Sequence, residues 1–167
     1  CRSISNQPDM PVADFLKVID QITPHVNPNR TMIIFTGGEA LLRKDIEVCG
    51  TELYHRGFPW GIVSNGMLLT SERLKSLLAS GLHSITISLD GFEGEHNWLR
   101  NNPRSYAAAT NAIKLLTNVQ DVAWDVVTCV NKKNISSLPD LKEHLISTGV
   151  KHWRIFTIFP VASTISI

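Results

Sequence analysis

Ser84-Ile85-Thr86-Ile87-Ser88-Leu89-Asp90 alternates without a break, at the two-residue period of an extended strand. Ile85, Ile87 and Leu89 fall on one face, and Thr86, Ser88 and Asp90 on the other. A strand covered by helices on both sides should be apolar throughout. This one has an apolar face to pack on helices and a polar face that lines something wet. Val122 to Val130 repeats the pattern, with Asp125, Cys129 and Asn131 sharing one face.

On either side of these strands the chain alternates strand and helix, at about 25 to 30 residues per βα unit. Upstream, Met32 to Phe35 is an apolar run closed by Thr36-Gly37-Gly38-Glu39-Ala40 and followed by a helix-like run from Leu41 to Tyr54. Trp60 to Ser64 is a second strand, closed by Asn65-Gly66. Thr70 is a candidate N-cap for the helix carrying Leu74, Leu77 and Leu78. An N-terminal helix puts Phe15, Val18, Ile19 and Ile22 on one face. Phe92 to Pro103 reads as a loop with one helical turn. Ser105 is placed to cap the helix of Ala109 and Ile113, and Ser137-Leu138-Pro139-Asp140 fits a capping box before Leu141. Trp153 to Phe159 is the last strand. The expectation is one α/β domain over residues 1–167. An open doubly wound sheet and a β/α barrel both fit the repeat, and the polar strand faces favour the barrel.

The composition excludes several classes. Hydrophobic residues make up 43% of 167, and 16 basic against 15 acidic side chains leave a net charge of +1. There is no electrostatic footprint for nucleic acid and no apolar run long enough to span a bilayer, so a cytoplasmic protein is expected. Three cysteines, Cys1, Cys49 and Cys129, are too scattered for a disulfide framework. The chain begins at Cys1 without a methionine, which reads as a piece of a longer protein.

In a barrel, ligands sit at the C-terminal ends of the strands. Those ends carry Gly37, Gly38 and Glu39, then Ser64 and Asn65, then Ser88 and Asp90, then Thr128 and Asn131. Paired glycines let a ligand approach backbone. Carbonyls and a carboxylate accept from an ammonium, and hydroxyls and amides suit vicinal hydroxyls. Arg100, ten residues after Asp90, offers a guanidinium to hold a carboxylate in a two-pronged grip. Ammonium, carboxylate and ribose together describe an amino-acid nucleoside.

Thr36-Gly37-Gly38-Glu39-Ala40-Leu41-Leu42, Ser64-Asn65-Gly66 and Ser88-Leu89-Asp90-Gly91, followed by His96, Arg100 and Tyr106, resemble the radical S-adenosylmethionine (SAM) enzymes in order and spacing. The likeness is to the branch of peptide and protein maturases that often carry a C-terminal cysteine-rich extension. It implies a partial (β/α)6 TIM-like barrel, here missing its first strand. It also implies a [4Fe–4S] cluster on three cysteines of a CxxxCxxC loop, with SAM chelating the open iron. Reductive cleavage of SAM would then yield a 5′-deoxyadenosyl radical for hydrogen abstraction. By the same resemblance Gly37, Gly38 and Glu39 hold the SAM ammonium, and Ser64, Asn65, Ser88 and Asp90 lie towards the ribose. Arg100 takes the SAM carboxylate and Asn131 lies near the adenine. The implied partners are a peptide or protein substrate and a reductant such as flavodoxin or ferredoxin.

The cluster motif itself is absent. Cys1 falls where its third cysteine would be, which makes it the one expected metal ligand. Cys49 and Cys129 have no CxxC neighbour and read as buried small hydrophobes. No residue here is expected to be catalytic in its own right, and the chain alone is expected to be inactive. Other expectations are that His96 is either a family residue or an exposed loop histidine, and that Arg154 pairs with Asp125 across the lumen, where it is either structural or reads an acidic substrate group. Two functions compete with the radical enzyme. One is a non-catalytic SAM- or nucleoside-binding barrel. The other is an unrelated barrel enzyme for phosphorylated metabolites, which lacks the glycine-rich anion site it would need between Asn131 and Ser137.

Overall fold

The computed structural model describes residues 9–157. Cys1, the expected metal ligand, lies outside them, as do Pro160 and the residues that follow it. The described residues form six α-helices and five strands, which alternate except where α4 and α5 follow one another between β3 and β4. They are α1 Val12–Ile22, β1 Ile33–Phe35, α2 Ile46–His55, β2 Trp60–Ser64, α3 Ser71–Ala79 and β3 Leu82–Ser88, then α4 Glu93–Arg100, α5 Ser105–Leu116, β4 Ala123–Val130, α6 Leu138–Ser147 and β5 Trp153–Thr157.

The strands form one parallel sheet in the order β1-β2-β3-β4-β5. A doubly wound sheet reverses its strand order at a switch point. This order never reverses, so each βα unit advances in the same sense, as in a barrel wall. The fold is therefore α/β with a TIM-like partial barrel sheet. Among the described residues β1 and β5 are paired on one side only.

Register explains the alternation read in β3. Val63 pairs with Thr86, Thr86 with Asp125, and Val127 with Arg154, so these side chains share the inner face. Ile62, Ile85, Ile87 and Val126 face outward and are buried, as are Leu77, Ile113 and Leu141 from the helices packed on them. Each such side chain contributes about 1.5–3 kcal/mol by leaving water, so the helix-covered face of the sheet carries the core. Trp60 is fully buried there and its Nε1 donates to the Ser80 carbonyl at 3.1 Å. A Cβ at Gly50 would lie 2.2 Å from the Trp60 ring, so α2 packs closely on β2 only because position 50 is glycine.

Several local expectations need correction. The run from Leu41 to Tyr54 is not one helix. A 3₁₀ turn, Ala40–Leu42, is followed by Arg43-Lys44-Asp45 before α2 starts at Ile46. The Glu39 carboxylate accepts the Leu41 N–H at 3.1 Å and closes that short turn. Phe92 to Pro103 is not a loop: α4 runs for two turns, held at its start by the Glu95 carboxylate, which accepts the Phe92 N–H at 2.8 Å. Ser137 does not cap α6, because its hydroxyl donates to the Asn134 carbonyl at 3.0 Å. Ser105 lies inside the first turn of α5 and does not cap it. Val18 is exposed, while Phe15, Ile19 and Ile22 pack inward. Thr70 caps α3 as expected, accepting the Arg73 N–H at 3.1 Å.

Candidate functional site at the C-terminal edge of the sheet

Two polar clusters stand side by side at this edge. The first joins β1 to β2 through Glu39. Its Oε1 accepts the Ser64 hydroxyl at 2.7 Å and its Oε2 accepts the Asn65 N–H at 2.7 Å. Ser64 also accepts the Gly66 N–H at 3.0 Å, so Ser64 is nearly buried and Asn65 half-buried. With the Leu41 N–H included, three protein donors satisfy the Glu39 carboxylate. Just before it, Gly37 has φ +140°, a backbone that L side chains rarely adopt. A Cβ added at Gly37 or Gly38 would meet nothing within 4 Å. Among the described residues the space over this turn is open, and no backbone hydrogen bond engages Gly37 or Gly38.

The second cluster centres on Asp90, which has no exposed surface. Oδ1 accepts the Cys129 N–H at 2.9 Å, and Oδ2 accepts Nε of Arg100 at 2.6 Å. The Asp90 N–H donates to Nδ1 of His96 at 2.9 Å, and that nitrogen is 3.5 Å from Oδ2. Burial pushes the Asp90 carboxyl up, but His96, Arg100 and the Cys129 amide together outweigh it and hold the group below its ordinary value. His96 is fully buried in α4, not an exposed loop histidine.

Sequence reading missed Asn134. Fully buried, it donates Nδ2 to the Asp90 carbonyl at 2.5 Å and to the Cys129 carbonyl at 3.0 Å, and accepts the Asn131 N–H through Oδ1 at 2.8 Å. One amide therefore ties the end of β3 to the end of β4. The signal was present: an asparagine three residues after Asn131, in a segment too short for a helix of its own. Thr128 adds a second tie, donating to the Leu89 carbonyl at 2.5 Å and accepting Nε1 of Trp153 at 2.8 Å.

The structure thus brings Glu39, Ser64 and Asn65 together, and separately Asp90, Arg100 and Asn131. Ser88 ends β3 between them, nearly buried. Arg100 uses only Nε; its terminal amino groups make no protein hydrogen bond among the described residues. Cys49 is fully buried and Cys129 half-buried; burial raises both thiols, with Asp90 adding to the effect at Cys129. Arg154 pairs with Asp125, as expected.

Five parallel strands in unreversed order, with open glycine backbone and polar side chains at one edge, define a partial-barrel domain with a candidate ligand site at that edge. The family model of the radical SAM superfamily matches residues 2–145, and the chain belongs to that superfamily. It is 28% identical over 144 residues to an AdoMet-dependent heme synthase of Nitratidesulfovibrio vulgaris, covering 86% of this chain and 38% of that protein. It is 30% identical over 162 residues to the tungsten-containing aldehyde ferredoxin oxidoreductase cofactor-modifying protein of Pyrococcus furiosus, covering 92% and 44%. Identity to the sporulation killing factor maturation protein SkfB of Bacillus subtilis is 28% over 138 residues, covering 81% and 31%. The fold matches Streptococcus suis SuiB bound to S-adenosylmethionine with a TM-score of 0.79 at 14% identity, over 96% of this chain and 37% of that one. The chain thus spans well under half the length of these proteins.

The superfamily's cofactors are SAM and a [4Fe–4S] cluster. SAM fits the residues present: the open turn at Gly37 and Gly38 and the unpaired end of Arg100 suit its ammonium and carboxylate. For the cluster, no group of three or more His, Cys, Asp or Glu among the described residues is placed to hold a metal, and Cys1 lies outside them. No helix among them is long and apolar enough to cross a membrane.

Proposed function

We propose that this chain is the SAM-binding portion of a radical SAM enzyme that matures a peptide or protein. The observation that carries this reading is the edge just described, where open glycine backbone, hydroxyls and a free guanidinium end lie along four consecutive strand tips. Carbonyls of the Gly37–Gly38 turn accept from the SAM ammonium. Glu39 serves this turn chiefly by fastening it to β2. The terminal nitrogens of Arg100 grip the SAM carboxylate while Nε stays on Asp90, so Asp90 acts by aiming Arg100. Ser64, Asn65 and Ser88 line the ribose side, and Asn131 the adenine side.

When bound, SAM and the cluster supply a carbon radical for hydrogen abstraction, with the electron from a flavodoxin or ferredoxin. Cys1 would contribute one of the cluster's thiolates in the longer protein. Cys49, inside α2, and Cys129, on β4, do not join it. Peptide maturation is supported by the resemblance to SkfB and to a PqqA peptide cyclase, 28% identical over 110 residues.

A second reading is action on a tetrapyrrole. It is favoured by the heme synthases of Nitratidesulfovibrio vulgaris and Methanosarcina barkeri, 28% and 27% identical. The longer protein, reconstituted without oxygen, separates these readings. Formation of 5′-deoxyadenosine and methionine from SAM supports the radical enzyme. Stimulation by a precursor peptide encoded beside the gene supports maturation, and stimulation by an iron porphyrin supports the second reading. A gene without two further cysteines upstream of Cys1 ends both.

A further inference from the structure

We infer that the inner face of the sheet holds a second ligand subsite, built for a carboxylate on an otherwise apolar substrate, with Arg154 as its anchor. This rests on reading the C-terminal edge as the SAM site, and names what the substrate brings below it. The subsite lines a cavity of about 870 Å³ that runs along the inner face and the N-terminal ends of the strands.

Arg154 is built into this wall. Its Nε donates to Oδ2 of Asp125, and its Nη2 donates to Oδ1 of Asp125 at 3.2 Å and to the Thr86 hydroxyl at 2.8 Å. Thr86 in turn donates to Oδ1 of Asp125 at 2.6 Å. Three neighbouring strands therefore hold one guanidinium in a set orientation. Nη1 has no hydrogen-bond partner among the described residues, and the Arg154 side chain is 51% exposed, towards the cavity.

The chemistry around it selects an anion. Lys151 and Arg154 line the cavity, and Asp125, already committed to Arg154, is its one carboxylate among the described residues. Met32, Ile34, Val63 and Trp124 supply apolar wall. A guanidinium held by a carboxylate and a hydroxyl loses little freedom when it grips a second carboxylate. Position also matters. Thr86 lies two residues below Ser88 on β3, a rise of roughly 7 Å. A substrate gripped at Arg154 presents to the SAM edge a carbon that far from its carboxylate, which is the span of about five to six bonds.

The test uses 2-naphthoate, an apolar carboxylate, and 2-naphthamide, its uncharged counterpart, each titrated into the purified chain and followed by amide chemical shifts. SAM is titrated separately. Naphthoate should bind at least about tenfold tighter than the amide and shift Thr86, Asp125 and Arg154. Arg154→Gln should remove that preference. Circular dichroism and melting certify that the variant is folded. Equal binding of the two probes, binding of neither, or a preference that survives Arg154→Gln overturns the subsite. The SAM titration fails independently: loss of SAM binding with the naphthoate preference intact refutes the nucleoside reading, and the converse refutes only this subsite.

Discussion

Asp90→Asn is the sharpest probe of how the strand tips are held. Asp90 is fully buried, with one oxygen on the Cys129 amide and the other on Nε of Arg100. Asparagine either keeps the Cys129 bond and turns an N–H₂ towards the guanidinium, or offers the guanidinium a neutral oxygen and loses the Cys129 bond. A hydrogen bond to a charged group is worth about 1.5–3 kcal/mol, and breaking a buried pair from one side costs about 3–5 kcal/mol. Arg100 keeps 30% of its side chain exposed, so it can turn to water, and the cost belongs at the lower end. We expect about 2–3 kcal/mol, seen as a lower urea midpoint with an unchanged slope when tryptophan fluorescence and circular dichroism are followed together. The cycle with Arg100→Gln isolates the pair, with an expected coupling of about 1.5 kcal/mol. A coupling below about 0.5 kcal/mol would refute the reasoning, since Asp90 would then be stabilised by something other than Arg100.

Other outcomes follow from the same geometry. The Asp90 carboxyl is held below its ordinary value in the folded chain, so its contribution is complete above about pH 4 and fades as pH falls through the folded value. Asp90→Asn should therefore flatten the loss of stability in acid-unfolding curves below about pH 4; an unchanged slope contradicts this. Gly38→Ala puts a methyl in open space, so stability should move by no more than about 0.5 kcal/mol while SAM affinity falls about tenfold or more. An unchanged affinity by calorimetry would remove Gly38 from the site. Asn134→Ala strands the Asp90 and Cys129 carbonyls and the Asn131 N–H, and should cost about 3 kcal/mol in urea unfolding. Gly61→Ala places a Cβ 2.1 Å from the Ser84 hydroxyl and 2.9 Å from its carbonyl, so it should cost about 1–3 kcal/mol by the same measurement.

The strands were legible because their two faces differ in polarity rather than in burial. Ile85, Ile87 and Leu89 pack in the apolar core, Thr86 and Asp90 are buried as well but hydrogen-bonded to Asp125 and to Cys129 and Arg100, and period-two alternation reports that split directly. The strand tips were legible as residue types, since Gly37, Gly38, Ser64, Asn65 and Asp90 punctuate each strand end. Their partners were not. Nothing in the spacing says that Glu39 reaches Ser64 and Asn65, because that depends on β1 and β2 lying side by side. Helix α4 was hidden for a local reason. Its start uses Phe92 and Glu95 rather than a Ser, Thr, Asp or Asn cap, Gly94 weakens its first turn, and its one fully buried residue is a histidine. The break at Arg43-Lys44-Asp45 was hidden because good helix formers run through it. There the Glu39 carboxylate, fixed by β2, caps the start of the 3₁₀ turn, and the extended backbone of Arg43 ends it.

The account stands on a single SAM pocket spread across consecutive strand tips. Amide chemical-shift mapping of the isotope-labelled chain during SAM titration tests it most directly, because weak binding suffices. Saturable shifts gathered at residues 37–39, 64–66, 88–91 and 129–134, together with Arg100, are the predicted result. Shifts scattered over the outer helices, or no saturable shift at millimolar SAM, would contradict it.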